Sequence, residues 1–118
     1  MSERDKALEL AKAINDEKKA TINGRDYAIY GVNHKKRRKV FSLFTHIQKD
    51  LENGDFSFLD SDEFEKVENV INSCVTYNGV ALDKTPDHWD KFPEDYLIFI
   101  QTMFAAFSYP FLSGISGG

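Results

Sequence analysis

Apolar positions recur with a helical period through much of this chain. In "RKVFSLFTHIQKDL", Val40, Leu43, Phe44, Ile47 and Leu51 fall at i, i+3, i+4, i+7 and i+11. That spacing lines one face of an α-helix, and it predicts a helix over residues 35–51. A second stripe, Phe64, Val67, Val70, Ile71 and Cys74, predicts a helix over 61–76. Asp60 or Ser61 caps it, and Asp62, Glu63 and Glu65 suit the positive end of its dipole. The last helix opens at Pro93 and runs from Glu94 to about Tyr109. It is apolar on two faces: Leu97, Ile100, Phe104 and Phe107 on one, Tyr96, Phe99 and Met103 on the other. A small domain rarely buries a helix on all sides. The first face is therefore assigned to the core, while Phe99, Met103 and Phe111 are expected to face a groove or a second copy.

Residues 2–17 read as a charged helix with a capping-box-like start at Ser2 and Asp5. Its stripe of Ala7, Leu10, Ala11 and Ile14 is thin in large residues, so loose docking, or docking only on a partner, is expected. The period changes to two in "KATINGRDYAIY", residues 19–30. Asn23-Gly24 is a strong hairpin signal, because both turn positions need positive φ. A two-residue turn pairs Ile22 with Arg25 and Ala20 with Tyr27, which puts Ala20, Ile22, Tyr27 and Ile29 on one face. Asn78-Gly79 ends the third helix or makes a second tight turn. The connector "DKTPDHWDKFPEDY" is polar, with a short helical turn at Thr85-Pro86. The fold class expected is α+β: a predominantly α-helical small domain with an N-terminal β-hairpin. Residues 1–18 form the first helix, 19–112 the core and 113–118 ("SGISGG") a flexible tail.

Composition adds bounds. At 118 residues, 42% of them hydrophobic and ten of them Phe, the chain makes one domain with a real core. The apolar stretch 96–112 carries Gln101, Thr102 and Ser108 and falls short of the roughly 20 residues of a membrane span. No membrane partner is expected. Cys74 stands alone, so no internal disulfide forms, and a reducing compartment is the simplest setting. Residues 1–18 mix both signs of charge and show no signal peptide.

Charge sharpens one question. The chain carries 15 basic and 19 acidic side chains, a net −4, which gives no global attraction to phosphate. Yet residues 35–39, "KKRRK", are all basic. Three readings are open: a face solvated or balanced by the eight carboxylates of residues 50–68, an acidic protein partner met by Lys35, Lys36 and Arg38, or nucleic acid. Nucleic acid lacks support from any RNP, KH or zinc-finger pattern, and Phe44 lies on the buried stripe. Catalytic and metal chemistry find little. "GISGG", residues 114–118, matches G-x-S-x-G with Ser116, but that motif works only on a turn between a strand and a helix. His88 in "DHWD" lacks further ligands at metal-binding spacing. His34 and His46 share no motif, and Cys74 reads as a small buried hydrophobe. No catalytic residue, cofactor or metal is expected.

The succession of elements resembles the tail assembly chaperones of long-tailed phages. "ATINGRDYAIYGV" is similar to the short hairpin often found there, followed by a helix ("RKVFSLFTHIQKDL") and an acidic helix ending in "VTYNGVALD". A polar connector and the apolar helix "PEDYLIFIQTMFAAF" close the pattern, which spans residues 19–112. The resemblance implies a non-enzymatic protein of the host cytoplasm, absent from the mature virion. It implies that the protein coats the helical tape measure protein, keeps it soluble and helps recruit tail tube subunits. In many such phages a programmed frameshift adds a C-terminal extension, and a flexible end suits that junction. The partner surface expected is Lys35, Lys36 and Arg38 together with Phe99, Met103 and Phe111, with homo-oligomers as a further expectation. The alternative is a small nucleic-acid-associated phage or bacterial regulator using residues 35–39.

Overall fold

The computed structural model describes residues 3–116 and, among these, the side chains of 6–114. The elements run α1 (Glu3–Glu17), β1 (Lys19–Ile22), β2 (Arg25–Ile29), α2 (His34–Glu52), α3 (Asp62–Ser73), β3 (Val75–Tyr77), β4 (Val80–Ala81), α4 (His88–Lys91) and α5 (Tyr96–Ser116). Short 3₁₀ turns at Ser57–Asp60, Leu82–Lys84 and Pro93–Asp95 join them. The capping box expected at Ser2 and Asp5 lies outside the described residues.

The expected fold class needs correction. The hairpin is not an isolated N-terminal feature: it follows α1 and forms half of a four-stranded antiparallel sheet, order β1-β2-β3-β4, in the middle of a mostly helical chain. The hairpin register is the one its turn dictates, Ala20 opposite Tyr27 and Ile22 opposite Arg25. What extends it is β3, which pairs Ile29 with Val75, Ala28 with Thr76 and Tyr27 with Tyr77. The third helix therefore stops at Ser73 instead of continuing to 76, and Asn78-Gly79 becomes the β3–β4 turn. Both Asn-Gly pairs take the left-handed region at both positions, φ 51° and 80° at Asn23-Gly24 and 54° and 83° at Asn78-Gly79. That geometry matches the twist of a two-residue hairpin. Strands of three and two residues are too short for an alternating pattern to register.

Helix ends follow local chemistry. Asn33 Oδ1 accepts from the Lys36 amide at 3.0 Å and opens α2; Ser61 Oγ accepts from the Phe64 amide at 3.1 Å and opens α3. Val40, Leu43 and Ile47 of α2 and Phe64, Val67 and Ile71 of α3 are buried, as their stripes predict.

At the centre lies α5, packed against α1 and α2. Ala11 and Ile14 of α1 are buried there, whereas Leu10 of the same stripe is exposed. Thus α1 docks on α5 through Ala11 and Ile14 within this chain, where loose docking or docking only on a partner is expected. The segment Pro93–Gly114 has the length and apolarity to cross a membrane; in this fold its Phe99, Ile100, Met103, Phe104 and Phe107 fill the core. Residues 113–116 continue α5 past Pro110 where a flexible tail is expected, because the helix loses only one hydrogen-bond donor at the proline. Residues 117–118 lie outside the described residues.

Candidate functional site

A buried polar network joins the hairpin tip to the start of α5. Asp95 is fully buried, and its Oδ1 accepts from Asn23 Nδ2 at 2.7 Å and Arg25 Nη1 at 2.9 Å. Tyr27 Oη donates to its Oδ2 at 2.7 Å. With that hydroxyl proton committed to the carboxylate, the 2.9 Å contact to His88 is a bond donated by His88 Nε2. Arg25 also meets Glu94 at 3.0 Å and lies over the Phe92 ring, 4.1 Å from its centroid. Burial pushes the Asp95 carboxyl up, but the bonds from Asn23, Tyr27 and Arg25 and the guanidinium charge outweigh it, so the carboxyl stays below its ordinary value. Burial pushes His88 down, and burial with the bond to Asp95 pushes Tyr27 up. Around this network the rings of Tyr77, Trp89, Phe92 and Phe99 pack against Tyr27 and His88. His88, Tyr27 and Asp95 form an acid–base chain in composition, but all three are buried and Tyr27 bonds both of the others. Their geometry makes them a clamp between sheet, α4 and α5. On the far side of α5's first turn, the Tyr96 hydroxyl bonds the Glu68 carboxylate.

The basic run divides in the structure. Pro110 has no amide proton, so the Ala106 carbonyl one turn earlier lacks its helical donor. Asn15 Nδ2 of α1 supplies one at 2.8 Å and Arg37 Nη1 of α2 another at 3.3 Å. Arg37 also donates to the Phe107 carbonyl at 3.2 Å and to Asn15 Oδ1 at 2.9 Å. Burial alone lowers its pKa. Arg37 is thus a tie between three helices, a role its place among Lys35, Lys36, Arg38 and Lys39 conceals. The signal was present in the sequence: an internal proline demands a donor from elsewhere. Lys36 turns back to the Gly31 carbonyl at 3.2 Å, while Lys35, Arg38 and Lys39 are exposed. No ion pair joins residues 35–39 to the carboxylates of 50–68, so the expected internal counter-surface does not form.

The expected groove residues of α5 require a second correction. Phe99 and Met103 are both fully buried, Phe99 against the Tyr27 and Trp89 rings. Leu97, assigned to the core, is 40% exposed, and its neighbour Ile98 is exposed too. The inward face keeps Ile100, Phe104 and Phe107 of the expected stripe, loses Leu97, and widens to take in Phe99, Met103 and Ala106. The reason is that α1, α2 and the aromatic cluster together cover α5 over more of its circumference than a small domain usually allows. Phe111 is half-buried, in contact with the rings of Phe41 and His34 of α2. Gly114–Ser116 belong to α5, so helix and not strand leads into the serine of the G-x-S-x-G pattern.

Two clefts flank α2. One, about 580 Å³, runs over α5 between α1 and α2 and is lined by Ala7, Leu8, Phe44, Leu51, Ala105 and Leu112, with Gln48, Glu52 and Gln101 at its margin. The other, about 590 Å³, lies between α2 and α3. Leu43, Val67 and Val70 floor it, and Arg38, Lys39, Ser42, His46, Glu63 and Lys66 form its rim. Lys35, Lys36 and Arg38 are thereby separated from Phe99 and Met103, which belong to the core. Comparison with protein-family models, with curated proteins and with solved structures finds no match for this chain.

Proposed function

We propose that this protein is a non-enzymatic tail assembly chaperone of a long-tailed phage, which holds the tape measure protein in solution and helps bring tail tube subunits to it. The reading rests on the succession of hairpin, helix, acidic helix, Asn78-Gly79 turn and apolar last helix. The observation that carries it furthest is the cleft over α5, an apolar trough between two helices with polar side chains at its margin. An amphipathic helix lays its apolar face into such a trough and leaves its charged face in water. Exposed Leu97 and Ile98 lie on the first turn of the same helix and add to the apolar surface. Phe99 and Met103 have no part in this contact; Ala105, Leu8 and Phe44 take their place.

Co-expression with a phage tape measure protein tests the proposal. The wild-type chain keeps that protein in the soluble fraction and co-elutes with it on size exclusion. Ala105→Arg, which projects a long charged side chain into the trough from a half-buried position, abolishes both while leaving the circular-dichroism spectrum unchanged. A tape measure protein that stays insoluble with the wild type, or soluble with Ala105→Arg, refutes it.

A further inference from the structure

We infer that the cleft between α2 and α3 is a docking site for a short acidic amphipathic helix of a partner protein. This site lies on the other side of α2 from the trough over α5, and its existence does not depend on the chaperone reading. The first ground is charge without an internal partner. Arg38, Lys39 and Lys66 are exposed around the cleft, and no ion pair within the described residues engages them. Lys35 stands at i, i+3 and i, i+4 from Arg38 and Lys39, where like charges destabilise a helix. Lys35 and Lys36 also sit in the first turn of α2, whose dipole repels cations. A chain of net −4 therefore gathers Arg38, Lys39 and Lys66 on one rim, with Lys35 beside it, at a local cost, while its own carboxylates of 50–68 fold without forming ion pairs to them. An acidic partner supplies the missing charge.

The second ground is the floor. Leu43, Val67 and Val70 give the cleft an apolar base, and Glu63 stands on its rim. A phosphate backbone gains nothing from the apolar base. A helix with apolar residues on one side and carboxylates flanking them uses both the floor and the basic rim. Length follows from geometry. The α2 wall runs from Arg38 to His46, about 12 Å at 1.5 Å per residue, so the contact spans about two turns of the partner helix.

The test is fluorescence anisotropy with three labelled probes on the full chain. One is a synthetic helical peptide with leucines at i, i+3 and i+7 flanked by glutamates. The second is the same peptide with every glutamate replaced by glutamine, and the third a mixed-sequence DNA duplex. The acidic peptide binds, and the glutamine peptide binds about tenfold more weakly. Raising salt from about 0.05 to about 0.5 M weakens the acidic peptide, because exposed charge pairs are screened. Arg38→Glu with Lys39→Glu lowers its affinity by about tenfold or more. Ser42→Trp keeps every charge but fills the cleft from an exposed position, and it also lowers affinity. Both variants keep the wild-type circular-dichroism spectrum, since Arg38, Lys39 and Ser42 are exposed. Equal affinity for the two peptides, no binding of the acidic peptide, indifference to Ser42→Trp, or tighter binding of the duplex each overturns the inference. Ala105→Arg, in the other trough, leaves binding of the acidic peptide unchanged, and a loss of that binding would place the peptide there and overturn the inference.

Discussion

Replacing Asp95 with Ala removes the one acceptor shared by Asn23, Arg25 and Tyr27. Tyr27 is fully buried, so its hydroxyl finds no water in exchange, and His88 loses the ordered partner that accepts its Nε2 proton. A hydrogen bond to a charged group contributes about 1.5–3 kcal/mol, but bonds to one carboxylate are not additive. Breaking a buried charged network by deleting one member costs about 3–5 kcal/mol, and that is the expected loss. Trp89, the chain's single tryptophan, packs against Tyr27, His88 and Phe99, and its fluorescence reports unfolding in urea. With an m-value of about 1.5 kcal/mol/M, the midpoint falls by about 2–3 M at unchanged m. Tyr27→Phe combined with Asp95→Asn in a double-mutant cycle then gives a coupling of about 0.5–3 kcal/mol. Acid titration supplies an independent arm. The folded-state carboxyl lies below its ordinary value, so its contribution is complete above about pH 3.9, the unfolded value, and disappears as pH falls through the folded one. The variant lacks that acid-dependent loss. A midpoint shift under about 0.3 M, or an unchanged acid limb, refutes the clamp.

Arg37→Met preserves the aliphatic stem but leaves the Ala106 carbonyl with Asn15 alone, and melting should show a loss of about 1–3 kcal/mol. Lys35→Met, an exposed neighbour in the same run, should change stability by no more than about 0.5 kcal/mol. Phe104→Ala should cost about 3–5 kcal/mol by leaving a cavity beside Phe44 and Phe64. Met103→Lys should be at least as damaging, since it places a charge at a fully buried position; a folded, soluble Met103→Lys protein would show that Met103 faces solvent or a groove instead of the core. Because burial lowers the folded-state pKa of His88, the unfolded chain takes up a proton first. Stability should therefore decline as pH falls below about 6.5, down to the folded value, and His88→Phe should flatten that limb of a urea–pH series.

The elements legible in the sequence are those specified within a few residues. Asn23-Gly24 dictated a turn and a register because positive φ at both positions leaves one way to pair Ala20 with Tyr27. The cap of α3 is read as Asp60 or Ser61, of which the structure takes Ser61, and the stripes of α2 and α3 are read from their period. Burial is decided differently, by which elements meet. Nothing local to α5 says whether Leu97 or Phe99 turns inward, since both are apolar although they point about 200° apart around the helix; the choice came from α1, α2 and the aromatic cluster closing around it. The same holds for β3 and β4, whose five residues are strands because the edge of β2 is there to pair with β3, and β3 in turn with β4. Asp95 reads locally as an acidic residue at a helix start. It becomes a buried anion only because the hairpin carries Asn23, Arg25 and Tyr27 to it across some seventy residues of chain. Arg37 lies between the two cases: Pro110 announces in the sequence that a carbonyl needs a donor, and only the packing of α2 on α5 selects which of five neighbouring cations supplies it.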